Sequence, residues 1–543
     1  QQNRMKPREK TRSDQNDYEC TTSDRFYPAP LPKWELYLSY AVWIFHSAAA
    51  FVIAYRVCIG PVHDWIQHWF RDSDYFDGWK VDVSDTEWLF YRNTIRDLIL
   101  AYAVHSAIFH STYRWLSPQY ARLVQIILST GLHIWITSPS CMAVLFVFAV
   151  VIFAMSGYFR REGIAWLFCI GFILKATEIV PFTKGSFAYY REFNMYLYGA
   201  IKILNVCIRL CRNSERPVSV ELLLSISHYM TYLPYSMTLI VLYEEFTSQI
   251  EQRATNAAKM SAMSNLIFAA RLAVWAIVFE LLIHLIPVHA LFASPFTIIN
   301  GMNGYEMSSI AYVAGQYFHV KYVVIFGVPS LFARIDGLTP PPPPICISRV
   351  SRYSRMWRHF DAGLYSFLKN QVYVPLLTHP RLSSGLGRPL ALVSAFLVVV
   401  AWHGTQKHYV CWVILSALEL VIERVGVHMW STYSFQSFRR RIGELWVRRL
   451  IALSMLTTVI PGIFGVFFFL GNEGVGETIF VKVLLNGIIG ILRADINVVD
   501  GVPTAGLVFL HLLVLGYFFN HCCLQLEYRD RSPAKDQDHR KIE

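Results

Sequence analysis

The chain has 543 residues, of which 54% are apolar and only 16% charged. A soluble domain carries about a quarter of its residues as charges, so this composition excludes an ordinary soluble enzyme and predicts a polytopic membrane protein. The net charge of +11 fits basic cytosolic loops, so no nucleic-acid partner is expected, and the ten cysteines, several inside apolar runs, do not form a disulfide framework.

Residues 1–33 are polar and mixed in charge, with no short apolar core of the signal-peptide kind. The first apolar run, 34–55, is therefore expected to act as an uncleaved signal anchor. The loop at 57–90 has seven acids against Arg71 and Lys80, which places it in the lumen and the N-terminus in the cytosol. A second span, 94–116, returns to Arg114 and Arg122. Two hairpins follow, 123–137 with 141–159 and 164–182 with 195–211. Each comes back to arginines, Arg160 and Arg161 in the first case and Arg209, Arg212 and Arg216 in the second. Three apolar stretches at 221–245, 263–287 and 308–333 then lead to Arg334, Arg349, Arg352, Arg355 and Arg358. Three full crossings would break the parity, so the stretch interrupted by Pro234 is expected to be re-entrant.

Pro340 to Pro344 predict a stiff polyproline spacer. The segment 356–372 predicts an amphipathic helix with Met356, Phe360, Leu364, Phe367 and Leu368 on one face, ended by Pro375. The stretch 389–425 predicts a hairpin with both ends cytosolic, since Arg388 precedes it and Arg424 and Arg439 to Arg441 follow. Its turn carries His403 and Gly404, deep in the membrane or facing the lumen. A span at 451–470, a short re-entrant or interfacial segment at 478–493 and a last span at 503–522 lead to a charged tail, 523–543, expected in the cytosol. The organisation read from this pattern is one membrane domain over 34–522 with a core at about 305–425. There is no convincing internal repeat and no set of paired charges across several spans, as a transporter would predict.

Three residues stand out chemically. His403 closes 14 residues without a charge, in Trp402-His403-Gly404. An ionisable group inside a membrane is costly and by default functional, and imidazole takes and returns a proton near neutral pH. The bland alternative is a histidine hydrogen-bonded within the bundle. Asp361 could pair with Arg358, one helical turn earlier, or cap a helix. Cys346, just after the prolines, could be an inert free thiol or a palmitoylated one. The glycines at 471–476 approximate a phosphate-binding loop, but Glu477 stands where that motif needs Lys, so a turn between helices is expected.

Trp402-His403-Gly404 and Met356-Trp-Arg-His-Phe-Asp361 resemble the catalytic core of the membrane-bound O-acyltransferases. Within that superfamily they most resemble the Hedgehog acyltransferase branch of protein-cysteine N-palmitoyltransferases, because many other members carry Asn in place of the Asp. The resemblance implies an all-α bundle of about 10–12 transmembrane helices with re-entrant segments. It implies the membrane of the endoplasmic reticulum or Golgi, with both termini cytosolic. It also implies palmitoyl-CoA as donor and the N-terminal cysteine of a Hedgehog-type secreted protein as acceptor. His403 and Asp361 would be catalytic, and Trp357, Arg358 and Trp402 would contact substrate. Cys346 would ligate a haem b through its thiolate. A lipid or hydroxyl acceptor is the alternative, as is a non-catalytic regulator of the kind that lacks the histidine. The resemblance weakens toward the N-terminus, and 379–388 departs from it.

Overall fold

Long apolar runs without strand-like alternation fold here into helices, and short ribbons supply the only strands among the described residues. The computed structural model describes residues 29–183, 185–212, 219–259, 261–379 and 387–530. The predicted cytosolic segment lies outside them up to residue 28, as do the tail from 531 and the connection 380–386. Seven helices among the described residues are long and apolar enough to cross a bilayer. The elements used below are α1 (Lys33–Ile59), α2 (Thr86–Trp115), α3 (Ser186–Arg212), α4 (Val220–Thr231), α5 (Gly304–Ile335), α6 (Tyr353–Phe360), α7 (Ala362–Phe367), α8 (Gly387–His403), α9 (Lys407–Ser431), α10 (Leu456–Leu470) and α11 (Ala505–Asp530).

The centre of the bundle is α5. Its most apolar stretch is 67% buried, whereas that of α1 is only 17% buried and turns most of its surface outward. A capping box starts α5: Asn303 accepts from the Tyr305 and Glu306 amides, and Glu306 accepts from the Asn303 amide. Around it pack α1, α2, α10, α11 and the helix Ala262–Leu285.

The stretch with Pro234 breaks as its sequence suggests. Helix α4 ends at Thr231, Leu233–Tyr235 make one turn, and the chain runs without helix to Tyr243. This buried backbone finds partners, as a low-dielectric setting requires: Tyr229 Oη donates to the Val241 carbonyl at 2.7 Å, and Asn205 Oδ1 accepts from the Tyr243 amide at 3.3 Å.

The helix predicted over 356–372 is not continuous. α6 stops at Phe360, and Asp361 (φ −118°, ψ 87°) leaves the helical region to cap α7. Residues Leu368–Tyr373 then widen into a π-turn, and the helix continues as Val374–Leu377. Pro375 therefore does not end the helix. It sits in the first turn of that last piece, where the lack of an N–H is tolerated. Apolar periodicity revealed the buried face but not the capping at Asp361.

The hairpin α8–α9 forms as expected, with Gly404 at φ +114° making the turn. The last helix is longer than predicted: α11 runs past residue 522 to Asp530. Glu527 and Asp530 give the reason, since they pair with Arg352, Arg355 and Arg349. The segment predicted at 478–493 starts earlier, at Val475, and reaches Leu492 with a π-turn inside. The glycines before it form a cap: Gly474 (φ +88°) donates its N–H to Glu477 at 3.1 Å.

Candidate active site

A cavity of about 750 Å³ runs along one side of α5, within the usual range for small-molecule sites. His403, Asp361, Trp357 and Trp402 all line it. Arg358 and Cys346 do not; the Arg358 guanidinium lies 5.9 Å from the centre of the Tyr365 ring.

His403 is the last residue of α8. Its ring meets Trp412 and Phe469 edge-on, each at 5.1 Å between centroids. No hydrogen bond to its imidazole exists among the described residues. Aromatic packing thus orients the ring while leaving its nitrogens open to a ligand.

Asp361 is held differently. Its Oδ1 accepts from the Leu364 amide at 2.9 Å, which fixes the carboxylate at the start of α7. Two residues on, Gly363 lets this turn lie directly against the non-helical 236–242 segment, because a methyl group there would strike the Ile240 carbonyl. The interrupted stretch is therefore a support for the Asp361 turn. Neither the Arg358 ion pair nor a direct hydrogen bond to His403 is present for Asp361 among the described residues.

Trp357 stacks on Trp412 at 5.6 Å, and its buried indole N–H has no hydrogen-bond partner among the described residues. Trp402 meets Tyr198 edge-on at 5.1 Å, and Tyr198, from α3, also lines the cavity beside Asp361. The sequence reading missed Tyr198, and no local signal distinguishes it from the other tyrosines of its run.

It also missed Tyr322, another cavity residue, whose hydroxyl donates to Glu87 at 3.0 Å. Next to it, Lys321 bridges Asp85 and Glu87, both at 2.9 Å. Lys321 was a usable signal, a lone cation in the apolar run 308–333. Burial pushes the Asp85 carboxyl up, but the charges of Lys321 and His289 outweigh this and hold it at about 2. The acidic loop before α2 is thus fastened to the wall of the cavity.

The haem expected at Cys346 finds no support. A haem thiolate must open onto a broad apolar slot. Cys346 is half-buried at the start of the turn Ile347–Arg349, and the cavity wall runs through Ile347 and Ser348 but leaves the cysteine out. Beside it stands Cys523, and the Ile345 amide is tied to the His359 carbonyl at 3.0 Å. No group of three or more His, Cys, Asp or Glu gathers to hold a metal ion among the described residues.

Residues 122–463, well over half of the chain, match the family model of MBOAT, the membrane-bound O-acyltransferase family. The chain is 27% identical over 475 residues to the protein-cysteine N-palmitoyltransferase HHAT of Mus musculus, covering 84% of this chain and 94% of that protein. It is 28% identical over 270 residues to the protein-cysteine N-palmitoyltransferase Rasp of Drosophila melanogaster, 49% of this chain and 52% of the fly protein. A third relative is the HHAT-like protein of Mus musculus, 23% identical over 69% of this chain and 75% of its own length. An all-helical membrane bundle, a cavity holding His403 and Asp361, and this match along the chain lead to one conclusion: the protein belongs to the membrane-bound O-acyltransferase family.

Proposed function

We propose that the protein moves a palmitoyl group from palmitoyl-CoA to the N-terminal cysteine amine of a Hedgehog-type secreted protein, in the membrane of the endoplasmic reticulum. The observation that carries this is the meeting of His403 and Asp361, far apart in sequence, on one largely apolar cavity. The two N-palmitoyltransferase relatives support the acyl group and the acceptor.

The α-amine of a peptide has a pKa near 7.7–8.0, so much of it is protonated at neutral pH. The neutral amine attacks the thioester carbon, and His403 takes the proton the nitrogen sheds as the carbon–nitrogen bond forms. The carbon–sulfur bond breaks, and the CoA thiolate leaves and is protonated through the same imidazole. General-base help of this kind is worth roughly 10²–10⁴-fold. Asp361, with one oxygen fixed by Leu364, holds the incoming ammonium or amine. The CoA portion enters from the cytosol past Arg352, and both termini lie on that side. Initial attack by the cysteine thiol, followed by an S-to-N shift, uses the same groups.

The test is purified protein with labelled palmitoyl-CoA and a peptide beginning with Cys. Hydroxylamine-resistant product is expected, and none from the same peptide with an acetylated N-terminus. A peptide beginning with Ser is acylated slowly by direct amine attack and not at all by the thiol-first route. Resistant product from the acetylated peptide at the unblocked rate sinks the N-palmitoyltransferase reading and favours a lipid or side-chain acceptor.

A further inference from the structure

The cavity has a second arm, away from His403, between α1, α5 and α11. Small residues on its walls, Ala49, Ala50, Gly315 and Gly516, leave room for a polymethylene chain. Two histidines lie on it. His46 Nδ1 is 2.7 Å from the Val42 carbonyl, His46 Nε2 is 3.0 Å from His511 Nε2, and His511 Nδ1 is 2.9 Å from Tyr305 Oη. A carbonyl only accepts, so His46 Nδ1 carries its hydrogen. In the neutral pair His511 Nε2–H then donates to His46 Nε2, and Tyr305 O–H donates to His511 Nδ1. The chain has one direction and leaves no imidazole nitrogen free. It joins three helices, and Tyr312 Oη adds a fourth bond by donating to Ser47 Oγ at 3.0 Å.

The arm fits the donor's tail in length as well as in character. Phe318 of α5 touches Phe469 at 5.4 Å, and Phe469 packs on His403. From Phe318 to Tyr305 is 13 residues of helix, about 20 Å at 1.5 Å per residue. That is close to the extended length of a palmitoyl chain. The polar CoA portion does not suit this arm, whose walls, Ser47 and the histidine chain aside, are largely apolar.

We propose that the hydrogen-bonded chain Tyr305–His511–His46 closes the far end of the acyl arm and sets the longest acyl chain the enzyme accepts. A palmitoyl tail ends against it. Two further methylenes must break a hydrogen bond between half-buried polar groups at the apolar end of the arm. The inference rests on the acyl-transfer reading of the cavity.

Two experiments test it. The first uses the wild-type protein and palmitoyl-CoA carrying a diazirine at the terminal carbon of the chain. Photolysis is expected to label residues between Trp43 and Ala50 or between Leu510 and Phe519; label on the Tyr198 and Tyr322 side overturns the proposal. The second compares acyl donors. His46→Ala opens the end and is expected to raise the kcat/KM ratio of the C18 over the C16 donor at least fivefold. Ala50→Leu fills the arm and is expected to favour the C14 donor over the C16 by a similar factor. Ratios that stay at wild-type values in both variants, or rates that fall equally for all donors, leave the histidine chain as a helix staple only. Because photolabelling needs no acceptor, label in the arm without transfer to a Cys peptide retires the function and keeps the gauge. Transfer with label elsewhere does the reverse.

Discussion

The two ends of one cavity hold histidine in opposite ways. At one end His403 has aromatic rings around it and no hydrogen bond from the described residues. At the other end His46 and His511 use all four ring nitrogens on Val42, each other and Tyr305. In a low-dielectric interior an unmet polar group is expensive, and a satisfied one is rigid. The open end is where a substrate can supply the missing partner; the closed end is architecture. Replacing His403 with Ala is therefore expected to lower turnover by roughly 10²–10⁴-fold. The melting temperature in detergent should hardly move, since no hydrogen bond is lost. Turnover within a few-fold of wild type, with folded protein, removes His403 from the mechanism.

The ion cluster at Lys321 is the extreme of the satisfied kind. Its side chain is 8% exposed and bridges two carboxylates, so Lys321→Met removes their shared cation and leaves Asp85 with His289 and Glu87 with the Tyr322 hydroxyl. A loss of about 3–5 kcal/mol of stability is expected, read by denaturation in detergent. The sign with pH follows from Asp85. Its folded value of about 2 lies below the ordinary 3.9 of an aspartate, so its stabilisation is complete above that value and is lost as pH falls from 4 toward 2. The wild type should lose melting temperature over that window, and Lys321→Met should lose less. A variant as acid-sensitive as the wild type would show that other carboxylates dominate.

The contrast also accounts for what could be read from the chain. The hairpin at His403 was legible because 14 uncharged residues are long enough to enter a membrane, and a histidine at their end is costly there unless it has work to do. The break at Pro234 was legible for a similar reason, since a proline interrupts an apolar run. The cap at Asp361 was harder. Apolar spacing continues straight through it, and only the close approach of Gly363 to Ile240 shows why the backbone must turn there. Tyr198, Tyr322 and the His46–His511 pair were out of reach, because each depends on a partner more than a hundred residues away. Arg358 went the other way: its spacing from Asp361 suggested an ion pair, but the break after Phe360 separates the two and the guanidinium turns to Tyr365.

Asp361 stands between the two kinds of site, with one oxygen satisfied and its charge available to the cavity, and two substitutions separate these parts. Asp361→Asn keeps an oxygen that can accept from Leu364 and so keeps the cap. It removes the charge, and a hydrogen bond to a charged group is worth about 2 kcal/mol, or roughly 30-fold in rate. Asp361→Ala removes both, adding a loss of about 1 kcal/mol of stability to the same catalytic defect. The pair is expected to show similar turnover but different melting temperatures. If Asn restores wild-type turnover and Ala does not, the carboxylate acts only as a cap. Asp361 then belongs with His46 and His511 as architecture, and the amine must be held by another group on the cavity wall.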